Sequence, residues 1–316
     1  MNVCKFLFFI LLFSVSSSER ILAQGNLSAA SLVPDKSVAV VQVNWAQTRG
    51  DEKLKLLVKG DSFPEFAKQV GLSEAKVTEW IVFSDANPNS SRGLGMIVSG
   101  NFTSQSVIEF AKSKSWKTET IGTRTAYVNP ADNSYLIPIR NGLLAVGTRN
   151  GMEKVQEVLT KKRSSLNTKL PFKSMWSELN AVRQPINFMI GIPQEYQKVA
   201  EIAYKVAAKL MNLASFGIMG TVMETIGFVN SMGFSVSHKN RVYPTRIFAT
   251  MDSETKAWIA AGALNLLKKA PSAIGTQPKT EEEKMGLEAL QSMTATYKGT
   301  LLSVKIDMPE SAIPQR

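Results

Sequence analysis

Side chains able to do chemistry near neutral pH are scarce in this chain. There is one histidine, His238, and one cysteine, Cys4. A Ser-His-Asp hydrolase would have to recruit His238, and no GxSxG elbow supplies the serine. His238 lies between Ser237 and Lys239, where the pattern predicts an exposed hairpin turn. One histidine and no cysteine beyond Cys4 cannot assemble the usual zinc site. Neither a GxxxxGK[ST] loop, a GxGxxG loop nor an EF-hand ladder of carboxylates occurs. The expectation is therefore no metal and no cofactor.

Carboxylates and cations remain. Glu79 in VTEWIVF (77–83) and Glu224 in VMETIGF (222–228) sit at equal positions of two similar segments. Both lie among apolar strand residues, where burial raises a carboxyl pKa. A pair of such groups could serve glycoside hydrolysis. Strand alternation argues instead for an outward-facing or ion-paired glutamate. The basic run Lys161, Lys162 and Arg163, with Lys154, Lys169 and Lys173 nearby, could meet an anionic surface. Such a run also suits a solvated helix end, where cations complement the helix dipole. Its aromatics are not interleaved as a single-strand nucleic-acid groove needs, so no specific nucleic acid is expected.

The elements that would position these groups alternate between strand and helix. Val38, Val40 and Val43 mark a first strand. Phe63, Phe66 and Val70 predict a helix started by Ser62 and Pro64 and stopped by Gly71. The clearest unit is Leu94 to Trp116: a strand, a polar turn capped by Thr103 or Ser104, and a helix whose stripe is Val107, Ile108, Phe110 and Ala111. Strands at 123–129, 134–140 and 143–147 follow, the last two joined by Asn141-Gly142. Asn150 with Glu153 reads as a capping box for the next helix. Met175, Trp176 and Leu179 predict a short helix packed back on the body.

A weaker copy of the clearest unit returns at Thr245 to Ala270. Its helix is expected to start at Asp252 or Ser253 and to turn Trp258, Ile259, Leu264, Leu266 and Leu267 inward. A helix is also expected at 195–213, a Met-rich buried segment at 211–232 in which Gly217 and Gly220 are packing points, and a linker at 272–284. That linker leads to a short helix at 281–293 and a closing strand to Met308. With the strand after Pro185 echoing the first strand, four blocks recur in one order. The expected fold is α+β: two related units of mainly antiparallel sheet with helices packed on one face.

Residues 1–25 read as a signal peptide. Lys5 supplies the positive start, and the apolar run Phe6 to Val15 is shorter than the roughly 20 residues of a membrane-spanning helix. Cleavage is expected after Ala23 or Gly25. Cys4 precedes the apolar run, so the mature chain would lack cysteine and disulfides. The domain expectation is 26–164 and 165–316, divided in the basic, polar stretch 161–170. The whole chain carries a formal charge of +11. Removing the leader takes away Lys5, Arg20 and Glu19, a net loss of one positive charge, and a strongly basic surface favours anionic partners.

The arrangement VPDKSVAVVQVN, a strand ending SGNF before a helix, then TRTAYVN and NGLLAVGTRNGMEKVQEVL resembles a class of uncharacterised exported bacterial proteins built from tandem α+β units. The resemblance implies export and a duplicated fold, and brings no catalytic residues. The expected function is a non-enzymatic binding or scaffolding protein of the cell envelope. The alternatives are a carboxylate-dependent hydrolase of an envelope polymer and a carrier of a lipid or other apolar ligand.

Overall fold

The computed structural model describes residues 28–58, 62–85, 93–166, 172–182, 184–191, 229, 231–251, 253–268 and 281–309. The expected leader, Glu224 with its strand 222–228, the helix 195–213, Gly217 and Gly220 lie outside these residues. So does nearly all of the Met-rich stretch. The chain divides into two compact units, the first ending at Met189 and the second beginning at Ile190.

The first unit holds β1 (Ser37–Val43), β2 (Val77–Asp85), β3 (Gly93–Gly100), β4 (Lys117–Ile121), β5 (Arg124–Val128), β6 (Tyr135–Arg140) and β7 (Leu143–Gly147). β8 (Ile186–Gly191) runs across the division. The strands are ordered β8-β1-β2-β3-β7-β6-β5-β4, and β1–β2, β2–β3, β3–β7, β7–β6, β6–β5 and β5–β4 are antiparallel. Its helices are α1 (Trp45–Thr48), α2 (Glu52–Leu57), α3 (Ser62–Gln69), α4 (Ser104–Ser113), α5 (Arg149–Leu159) and α6 (Phe172–Val182). The expected α+β class with mainly antiparallel pairing is what the chain adopts.

Register shows how the core is filled. Trp80 pairs with Val98 and Val98 with Leu144, so these three share one sheet face, and all are fully buried. Ile81, Ile97 and Ala145 pair on the opposite face and are buried as well. Trp80 stacks on Phe63 of α3 with ring centroids 5.3 Å apart, and Trp45 closes on the same ring at 4.6 Å. Gly71 ends α3 as expected, with φ 75°, and a Cβ there would collide with the Phe110 ring of α4.

The caps follow the hydroxyl rule with one shift. Thr103 Oγ1 accepts from the Ser106 N–H at 3.1 Å and starts α4. α5 starts earlier than the sequence suggests: Thr148, not Asn150, is its cap and accepts from the Gly151 N–H at 3.2 Å. Glu153 instead pairs with Arg149 at 3.1 Å.

The stretch expected to separate the units is tied into the first one. The Leu166 N–H donates to the Val33 carbonyl at 2.9 Å, and the Asp35 N–H to the Ser164 carbonyl at 3.2 Å. Arg163 Nε lies 3.5 Å from Asp35 Oδ1. These links hold 163–166 against the first unit, which also contains α6 with Met175, Trp176 and Leu179 buried.

The second unit contains β9 (Ser231–Val236), β10 (Val242–Thr250), α7 (Glu254–Leu267), α8 (Glu281–Ser292), β11 (Thr294–Lys298) and β12 (Leu301–Pro309). Its strands are ordered β11-β12-β10-β9, all antiparallel. The β9–β10 turn lies at Asn240 and Arg241, both at positive φ (53° and 63°), beginning two residues past His238. His238 is half-buried, its ring 4.9 Å from Tyr243, rather than an exposed turn residue.

α7 corrects the expected apolar face in part: Leu264 turns inward as expected, but Trp258, Ile259 and Leu266 do not, and the Leu267 side chain lies outside the described residues. Ala257, Ala260, Ala261 and Leu264, at i, i+3, i+4 and i+7, face the core formed with Leu302 and Val304. Small side chains let the helix approach the sheet closely, so the large neighbours turn outward. Asn265 completes the contact as an edge cover. Its Nδ2 donates to the Ala295 carbonyl at 2.7 Å, and its Oδ1 accepts from the Ala295 N–H at 2.9 Å. Both backbone groups of that edge-strand residue are thereby satisfied.

Candidate functional site

Glu79, itself half-buried, sits in a polar row that crosses neighbouring strands of the sheet. A register shift between Val77 and Glu79 sets Glu79 opposite Ser99. Gln42 Nε2 donates to Glu79 Oε1 at 2.5 Å, and Ser99 Oγ donates to Oε2 at 3.4 Å. Asn187 Nδ2 donates to Gln42 Oε1 at 3.0 Å, which leaves the Gln42 amide nitrogen turned toward the carboxyl. Gln42 and Asn187 are buried. The row thus reaches across β8, β1, β2 and β3.

Burial pushes the Glu79 carboxyl above its ordinary value, and the hydrogen bonds from Gln42 and Ser99 pull it back only in part. The rise matches the expectation from its apolar neighbours. Its setting is half-buried and not ion-paired, because its partners are a neutral amide and a hydroxyl. A carboxyl held this way can donate or accept a proton, yet glycoside hydrolysis needs a second carboxylate across the bond. Glu224 lies outside the described residues, and among those residues no group of three or more His, Cys, Asp or Glu could hold a metal ion.

Lys161, Lys162 and Arg163 form the turn that ends α5. The Lys161 N–H donates to the Val158 carbonyl at 3.1 Å and the Lys162 N–H to the Glu157 carbonyl at 2.8 Å, with Lys161 at φ 57°. This is a Schellman ending with lysine where glycine is usual. Arg163 is drawn inward toward Asp35 and Glu157, at 3.5 and 3.6 Å. Lys154 pairs with Glu157 at 3.0 Å. Lys161 and Lys162 stay exposed beside an open depression of about 420 Å³ that Ser31, Ser164 and Ser165 also line. Lys169 and the Lys173 side chain lie outside the described residues. The run therefore divides into one structural arginine and two solvated lysines.

The second unit carries the surface that the sequence pattern misplaces. On α7, Trp258 is 59% exposed, Ile259 55% and Leu266 67%. Tyr297 on β11 is also exposed, and pairs with Leu302 on the sheet face that receives α7. Aromatic and long aliphatic side chains are thus exposed together on one helix instead of being scattered singly. Lys256 in the first turn and Lys268 just past the last flank them. A signal for this face is present in the sequence: alanines at 257, 260 and 261 define a competing stripe narrow enough for close packing.

No family model matches the chain, and no curated protein matches it. Solved structures of TP0453 are similar in outline. Crystal form III gives a TM-score of 0.49 at 9% identity, covering 92% of this chain and 97% of that one. Crystal form I gives 0.47 at 9% identity, covering 91% and 95%. Crystal form IV gives 0.48 at 9% identity, covering 90% and 94%.

Proposed function

We propose that this chain is an exported, non-enzymatic binding protein of the bacterial cell envelope whose second unit docks on an anionic lipid surface through α7. The observation that carries this reading is the outward set Trp258, Ile259 and Leu266. A helix with such a face and lysines at its flanks suits the boundary between headgroups and acyl chains. A chain charge of +11 adds attraction to anionic lipid. Among the described residues no helix is long and apolar enough to cross a membrane, so this contact is read as lying on the surface. The Glu79 row, built from neutral partners, supports a structural role over the alternative of a carboxylate-dependent hydrolase.

Cosedimentation with phosphatidylglycerol and phosphatidylcholine vesicles tests the reading. The chain is expected on phosphatidylglycerol at low salt, with retention falling as salt rises. Trp258→Ser with Leu266→Ser is expected to weaken retention about tenfold or more, since each side chain withdrawn from water contributes up to about 2 kcal/mol. Stability should move by less than about 0.5 kcal/mol, because both positions are exposed. Absent retention at low salt, unchanged retention of the double variant, or self-association through the same face would overturn it. Recovery of a mature chain starting after Ala23 or Gly25 from the host envelope checks export.

A further inference from the structure

The sheet face that α3 covers is closed at one end and open at the other. Trp80, Val98 and Leu144 are fully buried, yet Val82 and Met96, two residues along on the same face, are only half-buried. Register places them in one line, Val82 opposite Met96 and Met96 opposite Val146. Above that line is a cavity of about 180 Å³, walled by Phe66, Val70, Val82, Leu94, Met96 and Val146. An apolar cavity of roughly 150 Å³ suffices to take benzene. At its rim lies the turn between β5 and β6, where Asn129 Oδ1 accepts from the Ala131 N–H at 3.0 Å and Asp132 Oδ1 from the Ser134 N–H at 2.9 Å. These bonds hold the turn in one shape. Among the described residues lining the cavity, Asp132 is the one that carries a charge.

We propose that this cavity is a binding site for a single aromatic ring or short alkyl chain carried on a cationic head. The ring or chain fills the space over Met96, and Asp132 attracts the head. A carboxylate head would meet the same charge with repulsion, so discrimination among heads is built into the rim. The site belongs to the first unit alone and does not depend on the lipid contact proposed for α7.

The test uses the full chain carrying methyl-13C methionine, with the Met96 resonance assigned through Met96→Leu. n-Hexylamine, n-hexanol and n-hexanoate are titrated at equal ionic strength. A saturable shift of the Met96 methyl is expected, tightest for the amine and weakest for the carboxylate. Asp132→Asn retains the turn-forming carbonyl oxygen and should weaken the amine by up to about fivefold, toward the alcohol. Val146→Phe fills the cavity and should abolish the shift while circular dichroism and Tm are retained; if that variant does not fold, the Asp132→Asn comparison decides. No saturable shift, equal affinity for the three heads, or an amine preference that survives Asp132→Asn would overturn the proposal.

Discussion

Two strand-to-helix segments, 94–116 in the first unit and 245–268 in the second, are put together from the same parts. Each strand ends in a hydroxyl cap: Thr103 accepts from Ser106 N–H in one, Ser253 from Lys256 N–H at 3.2 Å in the other. Each helix sends a narrow stripe into its core, Val107 and Ala111 on α4 and Ala257, Ala260, Ala261 and Leu264 on α7. Outside, they part. α4 presents Gln105, Ser106, Glu109, Lys112 and Ser113 to solvent, whereas α7 presents Trp258, Ile259 and Leu266. The same local grammar thus builds a helix with a polar outer face in one unit and a helix with an apolar outer face in the other. Inward side chains decide whether the helix forms and docks; outward ones decide what it meets.

The comparison breaks most sharply at the inward faces. Leu264→Ala is expected to cost about 2–5 kcal/mol, as a buried leucine removed from a core that alanines cannot refill. Denaturant unfolding measures it, and a cost near that of an exposed position would show that α7 does not depend on this stripe. Next in size is Asn265→Ala, which strips both partners from Ala295 at the sheet edge. It should cost roughly 1–3 kcal/mol and promote self-association through the freed β11 edge, visible by light scattering.

The shared grammar is sharpened by the caps. Thr103→Ala and Ser253→Ala should each cost about 1 kcal/mol. A large inequality in their melting shifts would show that the two helices start by different means. A smaller effect, local to one turn, is Lys161→Gly. It relieves a left-handed lysine and should stabilise by up to about 1 kcal/mol in thermal unfolding.

Glu79 supplies the finest test, through pH. Its folded-state value is raised above 4.5, so the folded chain holds the proton more tightly than the unfolded chain. The corresponding stability is fully present below the unfolded value and is lost as pH rises through the raised folded value. Glu79→Gln keeps an acceptor for Gln42 and should flatten the stability profile as pH rises above the ordinary carboxyl value. An identical slope in both proteins would mean that Glu79 does not titrate differently on folding.

Much of this architecture is legible in the sequence. Most strands, a hydroxyl cap near 103–104 and another near 252–253, the stop at Gly71 and the inward Met175, Trp176 and Leu179 follow from periodicity and cap chemistry, which act over a few neighbouring residues; β4, polar and largely exposed, does not. The raised Glu79 carboxyl is legible too, from the apolar residues beside it. Its partners are not, because Gln42 and Asn187 reach it only through strand pairing across long sequence separations. The setting of residues 164–166 is hidden for a similar reason: a polar, basic stretch looks like a linker until Val33 and Asp35 are found bonded to it.

The sequence by itself determined the α+β class, most of the element order, the basic charge and the scarcity of catalytic groups. These depend on composition and on patterns shorter than a helix. Only the tertiary structure decided which face of α7 is buried, since Ala257–Ala261 and Trp258–Ile259 are both apolar and the closeness of sheet packing chose the small ones. It also decided that Arg163 turns inward, and that the face over Met96 stays open where Trp80 is sealed. Each of these outcomes depends on what lies across the core from a side chain, which no local pattern encodes.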